Sequence, residues 1–239
     1  GGLIMLFACS DIHGNFEAYM KVINKLSEND KLYIIGDVID RGADGIKILL
    51  DIMNRDNVEF ILGNHEWMLL VSVMSNWNKV LVDTWTHEKN QGLITMKSLL
   101  ELDDEVASSL IDFLADSVIA KRIVENGKTI NIIHGFYDNR VEKILNMSVA
   151  DVINEVDMGA IWEGSTNFDI LWKSPLKKDP INAYKPNEYY IHGHVPVIRA
   201  DKDLEPFKYQ NIIFIDGGLQ YGGGLILYNI TNESFEVIN

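Results

Sequence analysis

Three short stretches in the first third of the chain carry carboxylates, imidazoles and an amide at near-regular intervals. "SDIHGN" brings Asp11 and His13, "GDVIDRG" brings Asp37, Asp40 and Arg41, and "GNHE" brings Asn64, His65 and Glu66. Further on, "IIHG" adds His134, "IHGHV" adds His192 and His194, and "IDGG" adds Asp216. Taken singly, each has a plain explanation. An Asp after an apolar run usually opens a turn or caps a helix, and a lone His is more often a packed or surface residue than a ligand. His87, in the polar "THEKNQ", keeps that explanation. The set does not, because five of the six histidines lie in glycine-containing loops directly after apolar runs.

Asp, His and Asn donors together suit hard-to-borderline divalent ions such as Mn²⁺, Fe²⁺ or Zn²⁺. Cys9 is the single cysteine, which excludes thiolate-rich zinc and iron–sulfur sites. One ion cannot use so many donors and keep an open position. Two ions sharing a bridging carboxylate can, at the roughly 3.5–4 Å separation of two-metal hydrolases. Such a pair lowers the pKa of a bound water and clamps a phosphoryl oxygen. It also supplies a local positive charge on a chain whose formal charge is −14.

These residues need elements to position them. Apolar, β-rich runs recur at 3–9, 31–36, 58–63, 129–135, 189–194, 211–218 and 224–230, bounded by Gly, Asn and Asp. Between the first three, "NFEAYMKVINKLSEN" and "GADGIKILLDIMNR" repeat apolar residues at helical spacing. That order is β-α-β-α-β, with parallel strands joined by right-handed crossovers. In an open α/β sheet ligands bind beyond the carboxyl ends of the strands, so the three polar loops are expected side by side at one edge. Residues 66–128 lose most strand character and read as a mostly helical insertion, within a single α/β domain spanning 1–239.

At 239 residues the chain is long enough for one large core. Hydrophobic residues at 47% and charged ones at 23% fit a folded globular protein. The acidic balance disfavours nonspecific nucleic-acid binding, which needs a basic surplus. One cysteine permits no intramolecular disulfide, and no apolar run reaches the eighteen or so residues of a membrane span. The expectation is therefore a cytoplasmic enzyme, with no membrane and no nucleic-acid partner. The chain has no P-loop, dinucleotide fingerprint or G-x-S-x-G elbow, and "YGGGL" (221–225) reads as a turn. Cys9 reads as packing.

In this order and spacing, "SDIHGN", "GDVIDRG" and "GNHE" resemble the metallophosphoesterases, and more narrowly the phosphoprotein phosphatase (PPP) family in its compact bacterial and phage form. "IIHG", "LWKSP" and "HGHVPV" continue the likeness to about residue 218, and "HEKNQGLITMKSL" (87–99) is similar to the W…NGG…T…SL stretch of bacterial members. The resemblance implies a four-layer α/β/β/α sandwich of mixed sheets flanked by helices. It implies two divalent cations, Mn²⁺ first and Fe, Zn or Mg as alternatives. Asp11, His13 and Asp37 would hold one, with Asp37 bridging, and Asn64, His134 and His194 would complete the other. His65 would be the general acid, held by Asp40, and Arg41 would grip phosphate. Glu66 and His192 are expected in support, and Asp216 in a turn.

The chain departs from the pattern at Ser10, where Gly is usual, and at Phe136, where a small residue is common. It departs again in "LWKSPLKK", where a second phosphate-binding Arg is expected and Lys173, Lys177 and Lys178 are the candidates in its place. The implied activity is phosphomonoester hydrolysis, phosphoserine and phosphothreonine proteins included, by in-line attack of a metal-activated hydroxide. Diadenosine polyphosphate hydrolysis is the alternative, with Trp67, Trp77 and Trp85 as candidates to stack a base. A metal-bound signalling module without catalysis is the third.

Overall fold

Leu6–Cys9 (β1), Lys31–Ile35 (β2) and Val58–Ile61 (β3) lie parallel and adjacent, β1 pairing with β2 and β2 with β3. The computed structural model describes residues 4–155, 169–172, 184–199 and 206–239. Phe16–Ile23 (α1) makes the first crossover, its start capped by the Asn15 side chain accepting from the Ala18 N–H at 2.9 Å. Gly45–Ile52 (α2) makes the second; of the apolar residues Ile46, Leu49, Leu50 and Met53 read at helical spacing, it buries Ile46 and Leu49, together with Ile48 and Ile52, and leaves Leu50 and Met53 half-buried.

The chain then runs through Asn64–Met74 (α3), Lys79–Thr86 (α4), Leu93–Leu100 (α5) and Asp104–Asp116 (α6). α3 is buried on every side from Asn64 to Ser72, the mark of a core helix rather than a surface one. Ala120–Glu125 (β4) and Lys128–Ile133 (β5) form a hairpin turning at Asn126-Gly127, both with positive φ as a tight two-residue turn requires. Val141–Ile144 (α7) and Val149–Glu155 (α8) follow, and then Glu188–His192 (β6), Phe207–Tyr209 (β7), Ile212–Phe214 (β8), Leu225–Asn229 (β9) and Ser234–Ile238 (β10).

Among the described residues the strands form two five-stranded mixed sheets, β10-β9-β1-β2-β3 and β4-β5-β6-β8-β7. Each has a parallel core, β1-β2-β3 in one and β5-β6-β8 in the other, finished by antiparallel neighbours. Ile34 and Ile61 from the first sheet, Ile132 and Ile213 from the second, and Leu49 and Leu69 from helices belong to one buried cluster. The sheets are stitched where Leu62 N–H, just past β3, donates to Val118 O, just before β4 (2.8 Å), and Val149 N–H at the start of α8 donates to Ser117 O beside it (2.8 Å). This is the expected fold class: mixed sheets flanked by helices, the metallophosphoesterase α/β sandwich.

Three strands were not foreseen, β4, β7 and β10, so the stretch 66–128 ends in a strand and not a helix. Lys173, Lys177 and Lys178 lie outside the described residues. No helix among the described residues is long and apolar enough to cross a membrane.

Candidate active site

The loops after β1 and β2 stay paired beyond the strands themselves. Asp11 N–H donates to Gly36 O (3.1 Å), His13 N–H to Asp37 O (2.9 Å) and Gly14 N–H to Val38 O (2.7 Å). This lateral ladder sets Asp11 and His13 beside Asp37. The third loop closes against them tightly. A Cβ on Gly63 would fall 2.3 Å from Asp37 Oδ1, so only glycine lets the start of α3 approach. Asn64, His65 and Glu66 thus occupy the first turn of α3. His134 follows β5, and His194 follows β6.

All nine candidate residues meet. His13 Nε2 lies 3.9 Å from both Asp11 Oδ1 and Asp37 Oδ2, and Asp37 Oδ2 is 3.8 Å from His65 Nε2 and 3.3 Å from His134 Nε2. Asn64 Oδ1 is 3.0 Å from His134 Nε2. The His194 N–H donates to Asp11 Oδ2 at 2.9 Å, which ties the second sheet's loop to the first. Asp40 Oδ2 is 2.6 Å from His65 Nδ1, and the Arg41 guanidinium faces His13 Nε2 (2.6 Å) and His65 Nε2 (3.3 Å). A cavity of about 220 Å³ opens over Asp11, Asp37, Asn64, His65, His194 and Arg41. Six of the nine, Asp11, His13, Asp37, Asp40, Arg41 and His194, have φ between 45° and 68°. The left-handed backbone costs non-glycine residues about 1–3 kcal/mol each and persists where surrounding structure imposes it.

Tautomers follow from the backbone partners. His13 Nδ1 faces Ile39 O (3.0 Å) and His134 Nδ1 faces Ile35 O (2.9 Å), so each Nδ1 carries the proton and each Nε2 offers a lone pair inward. His194 is reversed: Nε2 faces Trp172 O (3.1 Å), which leaves Nδ1 for the cluster. When His134 Nε2 is deprotonated, as a metal ligand must be, it and Asn64 Oδ1 present acceptors to one another beside Asp37 Oδ2 with no N–H or O–H between them. Such a donor set fits a cation. Donor atoms of His13, Asp37 and His65 lie mutually within 4.8 Å, as do those of Asp37, His134 and His194, and Asp37 is common to both groups. The geometry therefore brings His65 as near to Asp37 as it brings His13.

The electrostatics agree. Burial, then the Asp37 charge, pushes the Asp11 carboxyl up to about 6. Burial opposes protonation of His134, but the Asp37 charge outweighs it and lifts His134 to about 10, so with no cation bound Nε2 carries a proton toward Asp37, in the place a cation would take. Burial pushes His13 down to about 3 and His194 to about 4. Burial also works against protonating His65, yet the Asp37 charge and the Asp40 hydrogen bond together raise it. With Nδ1–H fixed on Asp40, the second proton of a charged His65 would sit on Nε2, on the side of the cavity.

The supporting residues have clear partners. Glu66 is fully buried and its carboxylate accepts four backbone N–H groups: Gly63 and Asp37 at Oε2, Val38 and Ile39 at Oε1. His192 faces Gly135 O and Tyr184 OH, away from the cluster. Asp216 Oδ1 accepts the Gly218 N–H in a turn (2.8 Å). His87 ends α4 and accepts from the Lys89 N–H. Cys9 is buried, and burial pushes its thiol up to about 12, so it packs and does not react. Two residues were missed. The Trp85 Nε1–H donates to Asp40 Oδ2 (2.9 Å), and Thr95 Oγ1 accepts the Asp40 N–H (2.9 Å). The signal lay in the stretch similar to W…NGG…T, whose residues have a partner only once α4 and α5 are packed.

A family model described as calcineurin-like phosphoesterase matches residues 4–223. The symmetrical bis(5'-nucleosyl)-tetraphosphatase of Buchnera aphidicola is 40% identical over 65 residues, 26% of this chain and 24% of that protein. The asymmetrical bis(5'-nucleosyl)-tetraphosphatase PrpE of Anoxybacillus flavithermus is 26% identical over 233 residues, 90% of this chain and 86% of that one. The chain spans about a quarter of the length of the first curated relatives that it matches. Among solved structures, a point variant of a cold-active protein tyrosine phosphatase shares the fold at a TM-score of 0.61 and 14% identity, covering 100% of this chain and 81% of that one. The matched span takes in every one of the clustered Asp, His and Asn residues, and the chain belongs to the calcineurin-like phosphoesterases, the metallophosphoesterase family of hydrolases.

Proposed function

We propose that this chain hydrolyses phosphate monoesters, phosphoserine and phosphothreonine in proteins among them, with two divalent cations, Mn²⁺ first. Asp11, His13 and Asp37 would hold one cation, and Asp37, Asn64, His134 and His194 the other. When bound, the cations supply Lewis acidity, offsetting phosphoryl charge and bringing the pKa of water near neutrality. Arg41, at the rim of the cavity, offers a planar fork to phosphate oxygens. Water attacks phosphorus in line. As the bond from phosphorus to the leaving oxygen breaks, that oxygen takes the proton from His65 Nε2. Asp40 holds the resulting imidazole by Nδ1–H.

The observation that carries this reading is the buried His65–Asp40 pair, 2.6 Å apart. A positioned acid contributes roughly 10²–10⁴-fold when the leaving oxygen is strongly basic. A serine or threonine alkoxide is such a group, whereas the phosphate released from a nucleoside polyphosphate is a far weaker base and needs a proton less. Dinucleoside tetraphosphate hydrolysis is the second reading, favoured by the name of the Anoxybacillus relative matched across most of the chain. None of the three Trp residues expected to stack a base lines the cavity, although the exposed Trp172 and Tyr221 do. Trp67 and Trp85 are buried, and Trp77 lies on a groove with Val73 and Leu99.

The test is kcat/KM on a phosphopeptide and on diadenosine tetraphosphate, with Mn²⁺, for wild type and His65→Ala. The variant is expected to keep its metal content and to lose roughly 10²–10⁴-fold on the phosphopeptide. A wild-type preference for the dinucleotide would establish the second reading. Failure on a broad phosphoester panel would favour a metal-bound module without catalysis.

A further inference from the structure

We infer that Trp85 is a positioning residue for the proton donor, through which the helical insertion sets the orientation of His65; this rests on His65 being the acid. Asp40 Oδ2 accepts two hydrogen bonds, from His65 Nδ1–H (2.6 Å) and from Trp85 Nε1–H (2.9 Å). An indole N–H only donates. It therefore fixes that oxygen as an acceptor and leaves its other lone pair for the imidazole. The Asp40 main chain is held from the same direction, its N–H donating to Thr95 Oγ1 on α5. That second hold matters because Asp40 sits at φ 68°, a backbone its own side chain disfavours.

The indole has its own seat. Gly92 lies flat against it: a Cβ there would fall 2.3 Å from Trp85 Nε1, and the Gly92 N–H donates to Trp85 O (3.1 Å). Asp40, Trp85, His65 and Thr95 are all at most 3% exposed, so no water competes for these bonds. Neither Trp85 nor Thr95 lines the cavity. Trp85 therefore acts on the reaction only through Asp40 and His65, by keeping the imidazole plane and the Nε2–H aimed at the leaving oxygen.

A residue that orients an acid affects substrates in proportion to their need for one. The experiment compares wild type, Trp85→Phe and His65→Ala on a phosphoserine peptide and on 2,4-dinitrophenyl phosphate, whose leaving oxygen needs no proton. In parallel, Trp85 is replaced by 3-benzothienylalanine, which keeps the ring shape and lacks the N–H, so a loss of packing by Phe cannot account for the result. For both Trp85 replacements kcat on the peptide should fall about 10–100-fold, the usual cost of losing an orienting partner. KM should stay near wild type, and the dinitrophenyl ester should be almost unaffected. Trp85→Phe in a His65→Ala background should cost nothing further. Equal losses on both substrates, or none, with His65→Ala retaining its leaving-group dependence, would overturn the role of Trp85 alone. A His65→Ala loss that does not depend on the leaving group would overturn the acid and this inference with it.

Discussion

Glu66 offers the sharpest test of how the three loops are held together. Its two carboxylate oxygens take two backbone N–H groups each: Asp37 (2.9 Å) and Gly63 (3.1 Å) on one, Val38 (2.8 Å) and Ile39 (3.1 Å) on the other. Glu66→Gln keeps the shape but offers one oxygen and one NH₂. Two of the four N–H groups then face a donor. A buried donor left unsatisfied costs about 1–3 kcal/mol, so the pair should cost about 2–6 kcal/mol. That is a large part of the 5–15 kcal/mol typical of a whole domain. Urea unfolding of metal-free protein, followed by circular dichroism, should show the midpoint falling by about 0.7–2 M at an m-value of about 3 kcal/mol/M. The slope should not change, and amide exchange at Val38 and Ile39 should accelerate. A midpoint within about 0.2 M of wild type would refute the view that this carboxylate clamps the Asp37 loop to α3.

Saturating Mn²⁺ at a hundred times its Kd should stabilise the dialysed protein by about 2.7 kcal/mol, a Tm rise of roughly 5–10 °C. Asp37→Asn should abolish that shift in differential scanning calorimetry, and a metal-independent Tm for wild type would remove the cation site from consideration. Hydrogen bonding from Arg122, followed by Lys185 and Tyr137, outweighs partial burial and holds the Glu142 carboxyl down at about 2. Its folded pKa lies below its unfolded one, so its contribution is complete above about pH 4.3 and fades as pH falls toward 2. The Tm gap between wild type and Glu142→Gln should accordingly shrink between pH 5 and pH 2, and a constant gap would contradict the assignment. Gly36 and Gly127 both have positive φ, but a Cβ on Gly36 would sit 2.4 Å from Gly63 Cα while one on Gly127 meets nothing within 4 Å. Gly127→Ala should therefore cost only the left-handed backbone penalty of about 1–2 kcal/mol, and Gly36→Ala much more. Equal urea midpoints would show that the close approach at Gly36 is not needed.

The edge that gathers the candidate ligands was readable because strand spacing imposes it. Asp11, Asp37 and Asn64 each follow an apolar run of one parallel β-α-β repeat, so their loops had to emerge together. What escaped has a common physical cause. β4, β7 and β10 are all edge strands, paired on one side only, and β4 and β10 carry charges such as Lys121, Arg122 and Glu236 that blunt the apolar signature. The left-handed backbone at His13, Arg41 and His194 was equally silent, since no sequence rule places bulky side chains there. Trp85 was visible as an aromatic residue and open to a stacking role. Its true partner, Asp40, lies 45 positions away and is settled by how α4 packs.

β1 lies between β2 and β9. Leu6 also accepts from the Ile230 N–H (2.7 Å) and donates to Thr231 Oγ1 (3.0 Å), so this strand finds its second neighbour 225 residues further along the chain. Every candidate ligand precedes Leu225, yet the strand that carries Asp11 and His13 keeps a bare hydrogen-bonding edge until Leu225–Asn229 emerges. A nascent or truncated chain stopping short of β9 would hold the complete chemical inventory on an unfinished sheet, open to pairing with a stranger's strand.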